Sequence, residues 1–251
     1  MLNKLIQIAE DAGKLILDVY NSNNFDIEIK SDNSPLTKAD KKSHDYIVEE
    51  LKKYFPNIPV LSEEGVAIDY ETRKKWGEFF LVDPLDGTKE FIKRNGEFTV
   101  NIALIKNSTP VLGVINVPVL KETYYGSIEE GSFKLFDDKT VKIEVSEKGK
   151  DDELTVVQSR SHSGEEEDKF YAGFKIKEKM SKGSSLKICL VAEGKAELYF
   201  RSGPTWEWDT AAGHAILLAA GGYFVNKDKT PLYYNKEIIK NSGFIASSFK
   251  V

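Results

Sequence analysis

The sequence predicts an α+β fold in two packed halves. Three observations carry that expectation: a helical apolar pattern at the start, a dense run of strand-like segments up to residue 145, and alternating strands and helices beyond residue 153. Leu2, Leu5, Ile6, Ala9, Ala12, Ile16 and Val19 recur at helical spacing and predict the first helix. Phe25, Ile27 and Ile29 alternate with charged residues, which predicts a strand, and a loop follows over residues 31–36. A second helix is expected from Lys38 to about Phe55, with Ile47, Val48, Leu51 and Tyr54 on its apolar side. Residues 58–61 and 78–82 read as strands, the second stopped by Pro84, and a helix is expected near Gly87. Further strands are expected at 97–105, 111–117, 123–128, 132–136 and 141–145, separated by Gly, Pro, Asn and charged turns.

The charged stretch 146–153 is the expected boundary between an N-terminal half, residues 1–150, and a C-terminal half, residues 151–251. Beyond it, strands at 154–159, 174–179 and 196–200 alternate with helices at 165–171 and 185–193. A helix after Asp209 and strands near Tyr223 and Phe244 complete the pattern. A cleft between the halves is the natural ligand site.

Composition narrows the function. The chain has 251 residues, of which 41% are hydrophobic, enough for a sizeable core. The lone Cys189 excludes an internal disulfide, fits a reducing compartment, and sits in an apolar helical run that reads as core. The first residues lack the basic start and apolar run of a signal peptide, and no stretch is long enough to span a bilayer. The expected location is the cytoplasm, with peripheral contact at the inner membrane left open. The net charge is −5 and lysines are spread along the chain, which argues against a nucleic-acid polymer as partner. An acidic protein acting on an anion needs local positive charge, from metal ions or helix N-termini.

The segment Asp83-Pro84-Leu85-Asp86-Gly87-Thr88 offers that chemistry. Asp83 is expected at the carboxyl end of a buried strand, where open α/β sheets place ligands. Asp86 follows at the mouth of the next helix, where Gly87 lets the backbone approach a ligand and the amides of Gly87 and Thr88 face an anion. Two hard carboxylates beside an anion site suit magnesium, which takes oxygen ligands and keeps waters and phosphate. A helix cap would account for Asp86 but not for Asp83. Other acidic residues are ambiguous alone. Glu63-Glu64 ends a short strand and reads as a solvated turn, Asp209 as a helix N-cap, and Asp40 as the partner of Thr37 in a capping box. His44, His162 and His214 show no metal-ligand spacing.

Together, Leu61-Ser62-Glu63-Glu64, Asp83-Pro84-Leu85-Asp86-Gly87-Thr88 and Trp208-Asp209-Thr210-Ala211-Ala212 resemble the three signature motifs of the inositol monophosphatase superfamily, in its order and spacing. Residues 87–92, 95–104, 159–162, 183–187, 190–194 and 203–205 are similar to its bacterial 3′(2′),5′-bisphosphate nucleotidases. The resemblance implies a layered αβαβα sandwich. It implies that Glu63, Asp83, Asp86, Asp209 and the carbonyl of Leu85 ligate on the order of two or three magnesium ions. It also implies that Glu63, Thr88 or Asp40 orients the attacking water, and that the enzyme is lithium-sensitive. The implied substrate is a phosphorylated nucleotide, adenosine 3′,5′-bisphosphate, a by-product of sulfate assimilation. Asp86, Gly87, Thr88 and Asp209 would meet the reacting phosphate, and Ser161, His162, Ser184, Lys187 and Arg201 the second phosphate and base. Inositol phosphates and fructose 1,6-bisphosphate are the neighbouring substrates, which the metal motifs do not separate. A non-catalytic, metabolite-sensing protein is the remote alternative, against which the intact carboxylates argue. The oligomeric state does not follow from the sequence.

Overall fold

The computed structural model describes residues 1–22, 25–29, 35–160 and 164–251. Its first helix, α1 (Leu2–Ser22), buries the predicted stripe of Leu5, Ala9, Ala12, Ile16 and Val19. The second, α2 (Lys38–Tyr54), opens with the expected capping box of Thr37 and Asp40. Both helices lie on one face of a seven-stranded sheet. Its strands run in order β3 (Val60–Ser62), β4 (Glu78–Asp86), β5 (Thr99–Lys106), β6 (Thr109–Val117), β7 (Glu122–Ser127), β8 (Gly131–Phe136) and β9 (Lys139–Ile143). Only β3 and β4 pair in parallel; the rest form an antiparallel meander.

The central strands are apolar on both faces because both faces are covered. Along β4, Phe80 and Val82 join the core under α1 and α2, whereas Phe79 and Leu81 join the core on the other side. That second core is shared with α6 (Leu186–Ala192) and α7 (Glu207–Ala219), the middle helical layer. Gly113 on β6 permits this packing, since a methyl group there would run into the carbonyl of Ala212 on α7.

Beyond the middle helices lies a five-stranded sheet, ordered β11 (Lys175–Lys182), β10 (Glu153–Ser159), β12 (Leu198–Arg201), β16 (Phe244–Ser247) and β14 (Tyr223–Asn226). Its outer face packs against α5 (Glu165–Tyr171) through Leu154, Val156, Leu198, Phe200 and Tyr171. The layers thus alternate αβαβα. Residues 144–152 carry the chain between the sheets, and one core cluster takes residues from Leu61 to Ala246.

Several local expectations need correction. The strand predicted around Phe25 shrinks to a two-residue ribbon, β1 (Glu28–Ile29) with β2 (Pro35–Leu36), and residues 31–34 of the predicted loop lie outside the described residues. Pro84 does not stop β4. Pairing passes from Asp83–Asn101 to Asp86–Thr99, so one extra residue is taken up in a bulge, where a missing N–H is tolerated. The helix near Gly87, α4 (Thr88–Ile92), is barely more than a turn. Asp209 is not the N-cap of α7. It is the third helical residue and reaches back to accept the Trp206 amide at 2.9 Å. The pattern reading missed the four-residue α3 (Tyr70–Arg73) and the ribbon of β13 (Thr205–Trp206) with β15 (Lys240–Asn241).

Candidate active site

Alternation along β4 aims the first carboxylate. Asp83 has the parity of Phe79 and Leu81, so it faces the middle layer. The bulge then turns the chain, and Asp86, Gly87 and Thr88 line the same cavity. Ser43 on α2 fastens the bulge by donating to the Pro84 carbonyl at 2.7 Å, and Asp83 accepts the Leu85 amide at 3.1 Å. Gly87 has φ +90°, and a side chain there would press on Ser184. Glu63 is held beside β4 because its amide donates to Val82 O at 3.1 Å. Asp209 enters from the first turn of α7. The cavity, about 360 Å³, gathers Glu63, Asp83, Leu85, Asp86 and Asp209, although Asp83 and Asp209 are 126 positions apart (209 − 83).

The electrostatics state what this cluster lacks. Burial pushes the Asp83 carboxyl well above its ordinary range, and the charges of Glu63, Asp86 and Asp209 push it further. Asp209 is raised likewise, first by burial and then by Asp86 and Glu63. Asp86 rises to about 6 through burial, opposed by Lys187 and by the Ser185 amide, which donates to it at 2.6 Å. Carboxylates that cannot all ionise together call for cations. Among the described residues, no three His, Cys, Asp or Glu side chains form a metal cage by themselves. Magnesium does not need one, since it keeps several waters and phosphate oxygens in its shell. All-oxygen donors around a cavity fit that hard cation.

Asp40 lies beside this cluster, 1% exposed. It accepts the Thr37 amide at 2.8 Å and the Thr37 hydroxyl at 2.6 Å through one oxygen, and the Thr88 hydroxyl at 3.1 Å through the other. Burial raises its pKa to about 6, while the Thr37 hydrogen bonds pull it down. The capping residue thus also touches the cavity wall at Thr88.

Ser184, Lys187 and Arg201 line the same cavity. Lys187 is 6% exposed, and its ammonium donates to Ser184 O at 2.6 Å and Lys182 O at 3.3 Å. Burial pushes its pKa down to about 8, against the pull of Asp86. Arg201 ends β12 on the same face as Tyr199, and its buried Nε finds no hydrogen-bond partner among the described residues. Ser161 and His162 lie outside the described residues.

Several residues in or behind the cavity wall escaped the sequence reading. Asn101 and Ser185 hold Asp86 from behind, and Thr99 joins them through a 2.8 Å contact with the Ser185 hydroxyl. Asn101 could have been found, as the one amide in the apolar run of β5. Glu90, Tyr199 and Trp206 also line the cavity and gave no such signal.

Two sheets closing with a helical layer on a pocket of mutually repelling carboxylates, lined as well by Lys187 and Arg201, make a frame for a metal-assisted phosphatase. The chain belongs to the inositol monophosphatase family, whose model matches residues 1–249. A 3′(2′),5′-bisphosphate nucleotidase CysQ from Salmonella typhimurium is 47% identical over 246 residues, covering 97% of this chain and 98% of that protein. The crystal structure of CysQ from Bacteroides thetaiotaomicron superposes with a TM-score of 0.85 at 46% identity, over 98% of this chain and 97% of that one. An IMPase from Thermotoga maritima has a TM-score of 0.78 at 25% identity, over 97% and 90% of the two chains. No helix among the described residues is long and apolar enough to cross a membrane.

Proposed function

We propose that this chain is a magnesium-dependent 3′(2′),5′-bisphosphate nucleotidase, hydrolysing the 3′-phosphate of adenosine 3′,5′-bisphosphate to AMP and phosphate. The observation that carries the reading is one cavity lined both by a carboxylate cluster and by the cationic side chains Lys187 and Arg201. The first suits a reacting phosphate with its cations, the second a further phosphate. Near-full-length similarity to CysQ nucleotidases supports the same substrate class.

Glu63, Asp83, Asp86, Asp209 and the carbonyl of Leu85 would hold two or three ions, on the order seen in multi-metal phosphatases. When bound, the ions neutralise phosphate charge and acidify water. The protein's own groups manage orientation and protons. Thr88 Oγ1 donates to Asp40 Oδ1, which leaves the Thr88 oxygen able to accept from the attacking water. As that water's oxygen bonds to phosphorus, its proton passes to Thr88 Oγ1 and the Thr88 proton to Asp40. The bond from phosphorus to the ribose O3′ breaks, and O3′ takes a proton from solvent. With a pKa of about 6, Asp40 is mostly ionised at neutral pH yet basic enough to accept that proton. The amides of Gly87 and Thr88 would steady the phosphoryl oxygens. Arg201, with a donor to spare, and Lys187 supply the charge for the 5′-phosphate.

Phosphate release tests this directly, with adenosine 3′,5′-bisphosphate, inositol 1-phosphate and fructose 1,6-bisphosphate as substrates. The nucleotide should have much the highest kcat/KM. A preference for inositol 1-phosphate would sink the nucleotidase reading and leave the phosphatase reading standing.

A further inference from the structure

The cavity has an aromatic rim that the phosphate chemistry does not use. Trp206 precedes α7, is half-buried, and lines the cavity together with Asp209. Trp208 backs it in a stack, with centroids 5.3 Å apart and planes 16° from parallel. The backbone of Trp206 is fixed twice, by the hydrogen bond its amide donates to the Asp209 carboxylate and by pairing with Lys240 in the small ribbon. A rigid, backed indole at the edge of a phosphate site is a stacking platform for a planar ring. The ammonium of Lys240, an exposed residue on a flexible stem, lies 4.5 Å from the Trp206 centroid.

We propose that Trp206 is the platform on which the purine of the substrate stacks, and that the base takes the place of the Lys240 ammonium over the ring. This rests on the nucleotidase reading and extends it to base recognition. The exchange runs in the base's favour. A cation over an exposed ring shifts an equilibrium by about two- to fivefold, whereas a base on an aromatic face shifts it by about fivefold to a hundredfold. The indole has no hydrogen-bonding pattern to match an exocyclic group here, so stacking favours purines over smaller rings and discriminates weakly between adenine and guanine.

The test compares adenosine 3′,5′-bisphosphate with a base-free 1,4-anhydroribitol 3,5-bisphosphate, which keeps both phosphates. In wild type the nucleotide should have the lower KM. Trp206→Ala should shrink that advantage about tenfold, mostly through the nucleotide's KM, and Trp206→Phe should restore most of it. Lys240→Ala should leave the nucleotide's KM unchanged or lower it. As a readout independent of turnover, AMP should quench tryptophan fluorescence in wild type and much less in Trp206→Phe. Equal KM increases for both substrates in Trp206→Ala, or quenching unchanged in Trp206→Phe, would overturn the proposal. So would a Lys240→Ala variant that loses the nucleotide preference, since the lysine would then be the recognising group. If wild type hydrolyses both bisphosphates equally well, stacking fails while the nucleotidase survives. If it hydrolyses neither, the nucleotidase reading falls as well.

Discussion

Replacing Asp40 by Asn should separate the protein's stability from its chemistry. Asp40 is buried, and its pKa rises from 3.8 to about 6. That gap is about two units, at 1.36 kcal/mol each, so the ionised carboxylate costs the fold about 3 kcal/mol near neutral pH. The sign follows from the raised folded value. This group's contribution to stability is fully present below about pH 4, falls as pH rises through 6, and stays low above it. Asn removes that cost but offers one acceptor oxygen where Asp40 uses two, so with that oxygen kept on Thr37 the bond from Thr88 is lost, at about 1.5–3 kcal/mol for a bond to a charged acceptor. The two effects nearly cancel, so Asp40→Asn should sit within about 2 kcal/mol of wild type in urea unfolding at pH 7. Its stability should also decline less than wild type's between pH 4 and 7. Turnover should not be spared, because an amide cannot take the proton that Thr88 passes on. A loss of at least about 100-fold in kcat is expected, the scale of a general base. A well-folded Asp40→Asn variant with kcat within threefold of wild type would refute the proton path. An unaltered pH dependence of stability would refute the buried-charge account.

Asp86→Asn should stay folded, since Asn can still accept the Ser185 amide, yet lose at least about a thousandfold in kcat at saturating magnesium because the charge of a proposed metal ligand is gone. Near-normal activity would remove Asp86 from the metal set. Magnesium should raise the melting temperature as well as support turnover, with about 2.7 kcal/mol of stabilisation at a hundred times Kd, as it relieves the repulsion around Asp83 and Asp209. Calcium should bind without supporting turnover, because it prefers longer bonds and more ligands, and lithium should inhibit. Full activity after exhaustive chelation, with no thermal shift on adding magnesium back, would count against the metal site. Gly113→Ala should cost about 1–3 kcal/mol in urea unfolding by driving a methyl group into the Ala212 carbonyl and displacing α7. A variant as stable as wild type would show that α7 can shift without strain.

The sequence by itself determined the outer helices, the order of most strands, and the identity of the acidic residues. Period and pattern are local properties: the stripe of α1 and the capping box at Thr37–Asp40 are written within a few residues of each other. The proposed metal set was legible only as a resemblance between motifs, because nothing local distinguishes Asp209 from a helix cap or Glu63-Glu64 from a solvated turn. Tertiary structure decided the rest. It turned Pro84 from a strand stop into a bulge, because the neighbouring β5 continues to pair at Thr99. It moved Asp209 into the first turn of α7, set Lys187 in the field of Asp86, joined Asp40 to Thr88 across 48 positions, and made Trp206 part of the cavity lining. The physical reason is common to all of these. Burial and the charges that face a group set its chemistry, and both depend on which distant segments the two sheets and the middle helices bring together.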